Sequence, residues 1–316
     1  MEKGSVQTLA IAIAAVVLMA AGIAVTVQPE DDDVVRIGVL PVIDTLPLYV
    51  AQEQGLFEKE GVKVELVQFS SAAECITAFT AGKIDGYFGD LMKTLILKSS
   101  GEDVKVVTIA HHTSDHRMFA LLAPPGEGEV GLSDIGGMEV ATSTGTIVEY
   151  LLDEMLAEAP SDVTKEEVPA IPLRRESLNQ GMLAFLPEPF VTVALNAGAR
   201  EVANDTSYNI TTSIIALRGG FVSEHLDLAK GFLAAYNESA ALVNQDPTRY
   251  ADILKSKLSF PGSLIGTFDF PPLSGPALPS EEEVDKVQEW MIGYPSGPKL
   301  ASRIPYESIM AVELYE

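Results

Sequence analysis

The chain is poor in several things, and each scarcity closes a door. It has one cysteine, Cys75, in 316 residues, so no internal disulfide forms and no cysteine cluster is available for metal or redox chemistry. Positive charge is scarce: 21 Lys+Arg stand against 45 Asp+Glu, a formal net charge of −24. That balance repels nucleic acid and anionic lipid headgroups, and no nucleic-acid partner is expected. There is no Gly-x-Ser-x-Gly elbow and no glycine-rich phosphate loop ahead of Lys-Ser/Thr, which removes the usual nucleophilic and nucleotide sites. No catalytic residue, cofactor or bound metal is expected. No short-period repeat is present either.

What is present begins with an apolar run. Thr8 to Val27 (TLAIAIAAVVLMAAGIAVTV) is uncharged and about twenty residues long, enough to cross a bilayer. Lys3 precedes it and the acidic Pro29 to Asp33 follows, an asymmetry that sends the body outward. Residues 1–30 therefore read as a signal or an anchor in the cytoplasmic membrane. Cleavage near Gly22-Ile23-Ala24 is the alternative, and no cysteine near the end of the run offers a lipoprotein anchor. Either way the body is expected to be extracytoplasmic. Three Asn-x-Ser/Thr sequons, at Asn204, Asn209 and Asn237, add little, since such triplets arise by chance.

From Val34 onward strand-like and helix-like segments alternate, which predicts mainly parallel sheets covered by helices. Strands are expected at Val34–Leu40, Val62–Phe69, Ile84–Phe88, Val104–Ala110 and Met118–Leu122. Helices are expected at Pro47–Lys59, Ala72–Ala81 and Leu91–Ser99. The Pro/Gly tract Ala123 to Val130 (APPGEGEV) marks a break. Beyond it come Met138–Ala141 (strand), Ile147–Ala157 (helix), Glu167–Ile171 (strand), a helix near Glu176, Met182–Leu186 (strand) and a helix after Pro189. Thr212–Arg218 reads as a strand returning to the first sheet, with long amphipathic helices over Ser223–Asn244. The proline-rich stretch Phe260 to Ser280 reads as an extended wrap. The expectation is an α/β protein of two lobes, 34–124 with 206–316 and 125–205, joined by strand crossings near Ala123 and Asp205.

The stretch GVLPVIDTLPLYVAQEQG, Gly38 to Gly55, places Asp44 and Thr45 between a strand and a helix. In open α/β sheets ligands lie beyond the carboxyl ends of strands, where helix starts present free N–H groups. The competing reading is local: Asp or Thr ahead of Pro47 is ordinary helix capping.

Several motifs together resemble a known family. Ala51-Gln52-Glu53-Gln54-Gly55-Leu56-Phe57 ahead of Glu60-Gly61-Val62, then Ala81-Gly82-Lys83-Ile84-Asp85-Gly86, and later Phe185-Leu186-Pro187-Glu188-Pro189-Phe190 are similar to periplasmic solute-binding proteins of the nitrate, sulfonate, taurine and thiamine-precursor class. The resemblance covers about Val34 to Ala203. It implies a type II periplasmic-binding-protein fold in which a small-molecule solute closes two lobes for an ABC importer, with its permease and ATPase as partners. It also implies ligand contacts at Asp44, Thr45, Leu46, Ser70, Ser71, Asp90, Leu91, Ser143, Thr144, Thr146 and Glu188. For each of these, a turn or capping role is the alternative.

The segment between Arg174 and Leu186 is shorter than the class pattern and lacks its acidic residue ahead of the strand, so ligand choice does not transfer from a relative. An acidic lining of Asp44, Asp90 and Glu188 favours a neutral or cationic ligand over nitrate or sulfonate, because a bare anion needs donors to replace its hydration. Three of the four histidines lie in His111-His112-Thr113-Ser114-Asp115-His116-Arg117. A zinc site there lacks a complete ligand set. His112 is read as a hinge-side ligand contact or a hydrogen-bonded part of the connection, and Arg117 as a counter-charge for a carboxylate. Cys75 reads as a small buried residue. A surface sensor without transport, and an enzyme like the fungal thiamine-pyrimidine synthases, are the rival functions. The cysteine-rich segment of those synthases is missing here.

Overall fold

Val34–Val39 (VVRIGV) puts Val35 and Ile37 inward and forms β1. The computed structural model describes residues 34–293 and 300–316. The Thr8–Val27 run, with the anchor or cleavage expected there, lies outside these residues. Among the described residues no helix is long and apolar enough to cross a membrane.

After β1 a short 3-10 turn leads into α1 (Leu46–Glu53) and α2 (Leu56–Lys59). The single helix expected over 47–59 is two, because Gly55 turns left-handed at φ 65° between them, a conformation glycine adopts without Cβ strain. Then come β2 (Lys63–Gln68), α3 (Ala72–Thr80), β3 (Gly86–Gly89), α4 (Leu91–Ser99) and β4 (Val104–His112). The chain crosses to β5 (Phe119–Ala123) and continues through β6 (Glu139–Thr142), α5 (Ile147–Leu156), β7 (Thr164–Glu167), α6 (Ile171–Glu176), β8 (Leu183–Pro187), α7 (Phe190–Asn196) and β9 (Arg200–Asn204). It crosses back to β10 (Thr211–Arg218), followed by α8 (Gly219–Glu224), α9 (Leu226–Gln245), α10 (Ala251–Lys257), α11 (Gly262–Ile265), α12 (Glu281–Gly293) and α13 (Tyr306–Ile309).

The strands form two sheets of matching topology, β2-β1-β3-β10-β4 and β7-β6-β8-β5-β9. In each sheet three strands run parallel, and the strand arriving from the other lobe pairs antiparallel with two neighbours. The central β5 (FALLA) and β8 (LAFLP) are buried throughout, as strands covered on both faces are. Each fully buried Leu, Ile or Phe contributes about 1.5–3 kcal/mol. At Gly38 a Cβ would meet the Cys75 Sγ at 2.5 Å, so α3 lies against β1 only because this position is glycine.

Three expectations need correction. The strand expected at 167–171 is β7, 164–167. Its polar Thr164-Lys165-Glu166-Glu167 suits an exposed edge, while Pro169 and Pro172 turn the chain into α6. The polar edge strand β9 was not foreseen. The change of sheet falls at 113–118 rather than near Ala123, because β5 pairs with β8 and β9. The stretch 260–280 is extended apart from α11.

The two crossings run side by side. Thr113 N–H donates to the Ile210 carbonyl at 3.0 Å, and Ile210 N–H donates to the Thr113 hydroxyl at 2.9 Å. Asp205 accepts from the N–H groups of Met118 and Phe119, each at 3.0 Å. Glu283 of α12 braces the same place, taking the Thr211 N–H at 3.0 Å and lying 3.1 Å from His112 Nε2. Tyr150 of α5 meets Trp290 of α12 edge-on, with ring centroids 5.5 Å apart.

Candidate functional site

A cavity lies between the sheets, walled on one side by the ends of β1, β3 and β10 and on the other by the starts of α5 and α6. It is small, with about 60 Å³ open to the centres of water-sized molecules, room for about four to six waters or one compact solute. Two backbone hydrogen bonds bridge the lobes around it: Ile43 N–H donates to the Glu188 carbonyl at 3.1 Å, and Ile171 N–H to the Ser70 carbonyl at 3.1 Å.

Of the residues expected at the site, Asp44, Asp90, Ser143 and Thr146 face this cavity. Asp44 sits in the 3-10 turn after β1 with 2% exposure. The Ser213 hydroxyl donates to it, yet burial pushes its pKa up to about 6. Asp90 caps α4 by accepting the Lys93 N–H at 2.9 Å, and burial raises its pKa too. Capping and cavity roles therefore coincide at Asp90, whereas Asp44 makes no cap bond. Thr146 closes its loop by donating to the Ser143 carbonyl at 2.7 Å.

The other expected residues sit elsewhere, each for a local reason. Thr45 donates to the Val42 carbonyl at 2.7 Å and the Leu40 carbonyl at 3.1 Å, which fixes the turn. Leu46 and Leu91 are buried core residues outside the cavity wall. Ser71 caps α3 by accepting Glu74 N–H at 3.2 Å, and the Ser70 hydroxyl donates to Glu74 at 2.8 Å. Thr144 is exposed. His112 is held by Glu283 and by the Thr113 carbonyl at 2.9 Å. Glu188 is 1% exposed and points away from the cavity. It accepts from Arg117 at 2.8 and 3.2 Å and from the Thr192 N–H at 3.0 Å. Arg117 is thus the counter-charge expected of it, also reaching Glu201 at 2.7 Å.

The wall holds groups that the sequence did not single out. Arg174, on α6, is 2% exposed and faces the cavity. It donates to the carbonyls of Val168 (3.0 Å), Pro169 (3.1 Å) and Phe185 (3.2 Å). Burial pushes its pKa down to about 10, so it stays positive at neutral pH. Three of a guanidinium's five donors are used in this way, which leaves two for a solute. The lining is therefore not purely acidic, and the expected all-acid wall is corrected to two carboxylates and one arginine. Ser213 and Thr212, at the start of β10, and the apolar Phe88, Phe119 and Ile171 also line the cavity.

The lining includes no histidine and no cysteine. The Cys75 thiol is buried and pushed up to about 12. Among the described residues no group of three or more His, Cys, Asp or Glu is placed to hold a metal ion. What the cavity offers is polar recognition by hydroxyls, two carboxylates and a guanidinium.

Two like-built sheets, paired crossings and a cavity between the lobes define a periplasmic-binding-protein fold, and solved structures agree. The ligand-binding component of an ABC-type import system from Staphylococcus aureus, with zinc bound, superposes with a TM-score of 0.73 at 18% identity, covering 90% of this chain and 98% of that one. The alkanesulfonate-binding protein SsuA from Xanthomonas axonopodis pv. citri, bound to MOPS, gives 0.73 at 18% identity, covering 89% and 97%. The desulfurization enzyme DSZB gives 0.59 at 14% identity, covering 82% and 92%. No curated protein matches the sequence. Residues 43–250 match the family model described as NMT1/THI5 like, and the chain belongs to that family.

Proposed function

We propose that the protein is an extracytoplasmic solute-binding component that captures a compact polar organic solute between its lobes and delivers it to the permease of an ABC importer. The observation that carries this reading is the cavity itself, whose polar groups come from both lobes: Asp44, Asp90 and Ser213 from one, Ser143, Thr146 and Arg174 from the other. A solute seated there touches both lobes at once, so its binding energy favours the closed arrangement over an open one. Import systems built on this fold in the relatives support the permease as partner. The apolar run at 8–27 supports a place at the outer face of the cytoplasmic membrane.

The solute that suits this wall carries a hydrogen-bond donor or positive charge for Asp44 and an acceptor for the two spare N–H groups of Arg174. The similarity to DSZB raises an enzymatic role, but the lining holds no histidine or cysteine, two of the side chains most used in nucleophilic chemistry.

Thermal unfolding of the full chain against pyrimidines, amines, amino acids and sulfonates tests the reading. A solute at a hundred times its dissociation constant stabilises by about 2.7 kcal/mol, a rise of about 5 °C for a chain of this size. No shift with any compact organic solute contradicts it.

A further inference from the structure

The loop that starts α5 is the part of the second lobe best built to hold an anion, since helix starts present unpaired N–H groups to negative charge. Two donors of this loop are already taken by carboxylates of the chain. Thr144 N–H donates to Glu167 at 2.6 Å, and Gly145 N–H donates to Glu149 at 2.7 Å. Glu149 is itself neutralised by Lys165 at 2.9 Å. Asp90, from the opposite lobe, lines the cavity beside Ile147, the first residue of α5, whereas Glu149 and Glu167 do not line it. Asp90 is 6% exposed and accepts from the Lys93 N–H at the start of α4. One carboxylate thus caps the α4 start and faces the cavity that the α5 start also lines. Lys93 adds a contact on the same side, its Nζ lying 3.5 Å from the Thr144 carbonyl.

We propose that Asp90 determines the charge the cavity accepts: it supplies the α5 start, from within the chain, with the negative charge that a bound oxyanion would otherwise bring. The inference rests on the solute-binding reading and narrows it. An incoming sulfonate, sulfate or nitrate finds the Thr144 and Gly145 donors occupied and a buried carboxylate facing the same cavity, and like charges at such distance oppose binding. A neutral or cationic solute meets no such obstacle.

The test is calorimetric titration of the full chain with sodium methanesulfonate, nitrate and sulfate at matched ionic strength, comparing wild type with Asp90→Asn and Asp90→Ala. Asn keeps an oxygen to cap α4 and removes the charge, whereas Ala also removes the cap. The expected result is negligible oxyanion binding by wild type and a gain of at least about tenfold in affinity by Asp90→Asn, a free-energy change of about 1.4 kcal/mol. If Asp90→Ala fails to fold, Asp90→Asn decides alone. Wild type binding an oxyanion as tightly as Asp90→Asn, or no gain in Asp90→Asn, overturns the proposal. The organic solutes are titrated in the same series. Failure of all of them with wild type while Asp90→Asn gains oxyanions counts against the solute-binding reading and leaves the role of Asp90 standing.

Discussion

The hydroxyl of Ser213 donates to the carboxylate of Asp44, joining residues 169 positions apart on one wall of the cavity. Ser213 opens β10, the strand returning from the second lobe, and Asp44 lies in the turn after β1. A single hydrogen bond thus links the returning strand to the first loop of the chain's body, at the place where a solute is expected to sit.

The first prediction follows from the burial of that carboxylate. The Asp44 pKa is raised from 3.8 to about 6, so the folded state holds its proton more tightly than the unfolded state does. The stability this contributes is fully present below pH 3.8 and is lost as pH rises through about 6. Asp44→Asn is expected to flatten this part of the profile and to stabilise the empty protein above pH 6 by on the order of 3 kcal/mol, while weakening solute binding. Urea unfolding from pH 4 to 8 measures it, and an unchanged slope contradicts it.

His111 acts in the opposite direction. It is fully buried on β4, and neither ring nitrogen has a hydrogen-bond partner among the described residues. Burial pushes its pKa from 6.5 down to about 3, so its neutral form supports the fold above pH 6.5 and the support is lost as pH falls toward 3. His111→Leu is expected to lose much of the acid sensitivity in that window with little cost at pH 7. Equal acid sensitivity in the variant shows that other groups set the acid limit.

The pair Arg117 and Glu188 should matter for stability more than its surface neighbour. Arg117→Met leaves Glu188, 1% exposed, with no counter-charge, a loss of about 3–5 kcal/mol. Glu201→Gln removes a partner from a more open site and is expected to cost about 1 kcal/mol or less. Comparable losses in the two variants contradict this ordering.

The alternation of strands and helices was legible because the apolar periods change along the chain, and Leu91–Ser99 runs as the period predicts. Sheet membership was less so. The run FALLA at 119–123 reads the same in either lobe, and only its long-range pairing with β8 and β9 assigns it. At the site, Asp44 and Asp90 were readable as residues at strand ends. Arg174 was hidden inside a short helix, although an arginine beside Ile171 and Leu173 in an apolar turn is a signal that could have raised it. Ser213 was hidden by a bulge at the start of β10, although three hydroxyls in a row, Thr211-Thr212-Ser213, mark that crossing. Glu188 pairs with Arg117, 71 positions away, and sequence does not show which carboxylate that arginine takes.

The central claim is that the cavity between the lobes is the solute site, and calorimetric titration of a stabilising solute into four forms of the full chain tests it most directly. Wild type is compared with Asp44→Asn and Ser213→Ala, both altered in the cavity, and with Arg175→Ala, altered in a separate groove. Loss of a charge-assisted contact weakens binding by about 10- to 100-fold, so the account predicts that drop for Asp44→Asn, a smaller one for Ser213→Ala and none for Arg175→Ala. Unaltered affinity in both cavity variants, with a loss in Arg175→Ala, would move the solute out of the cavity and contradict the account.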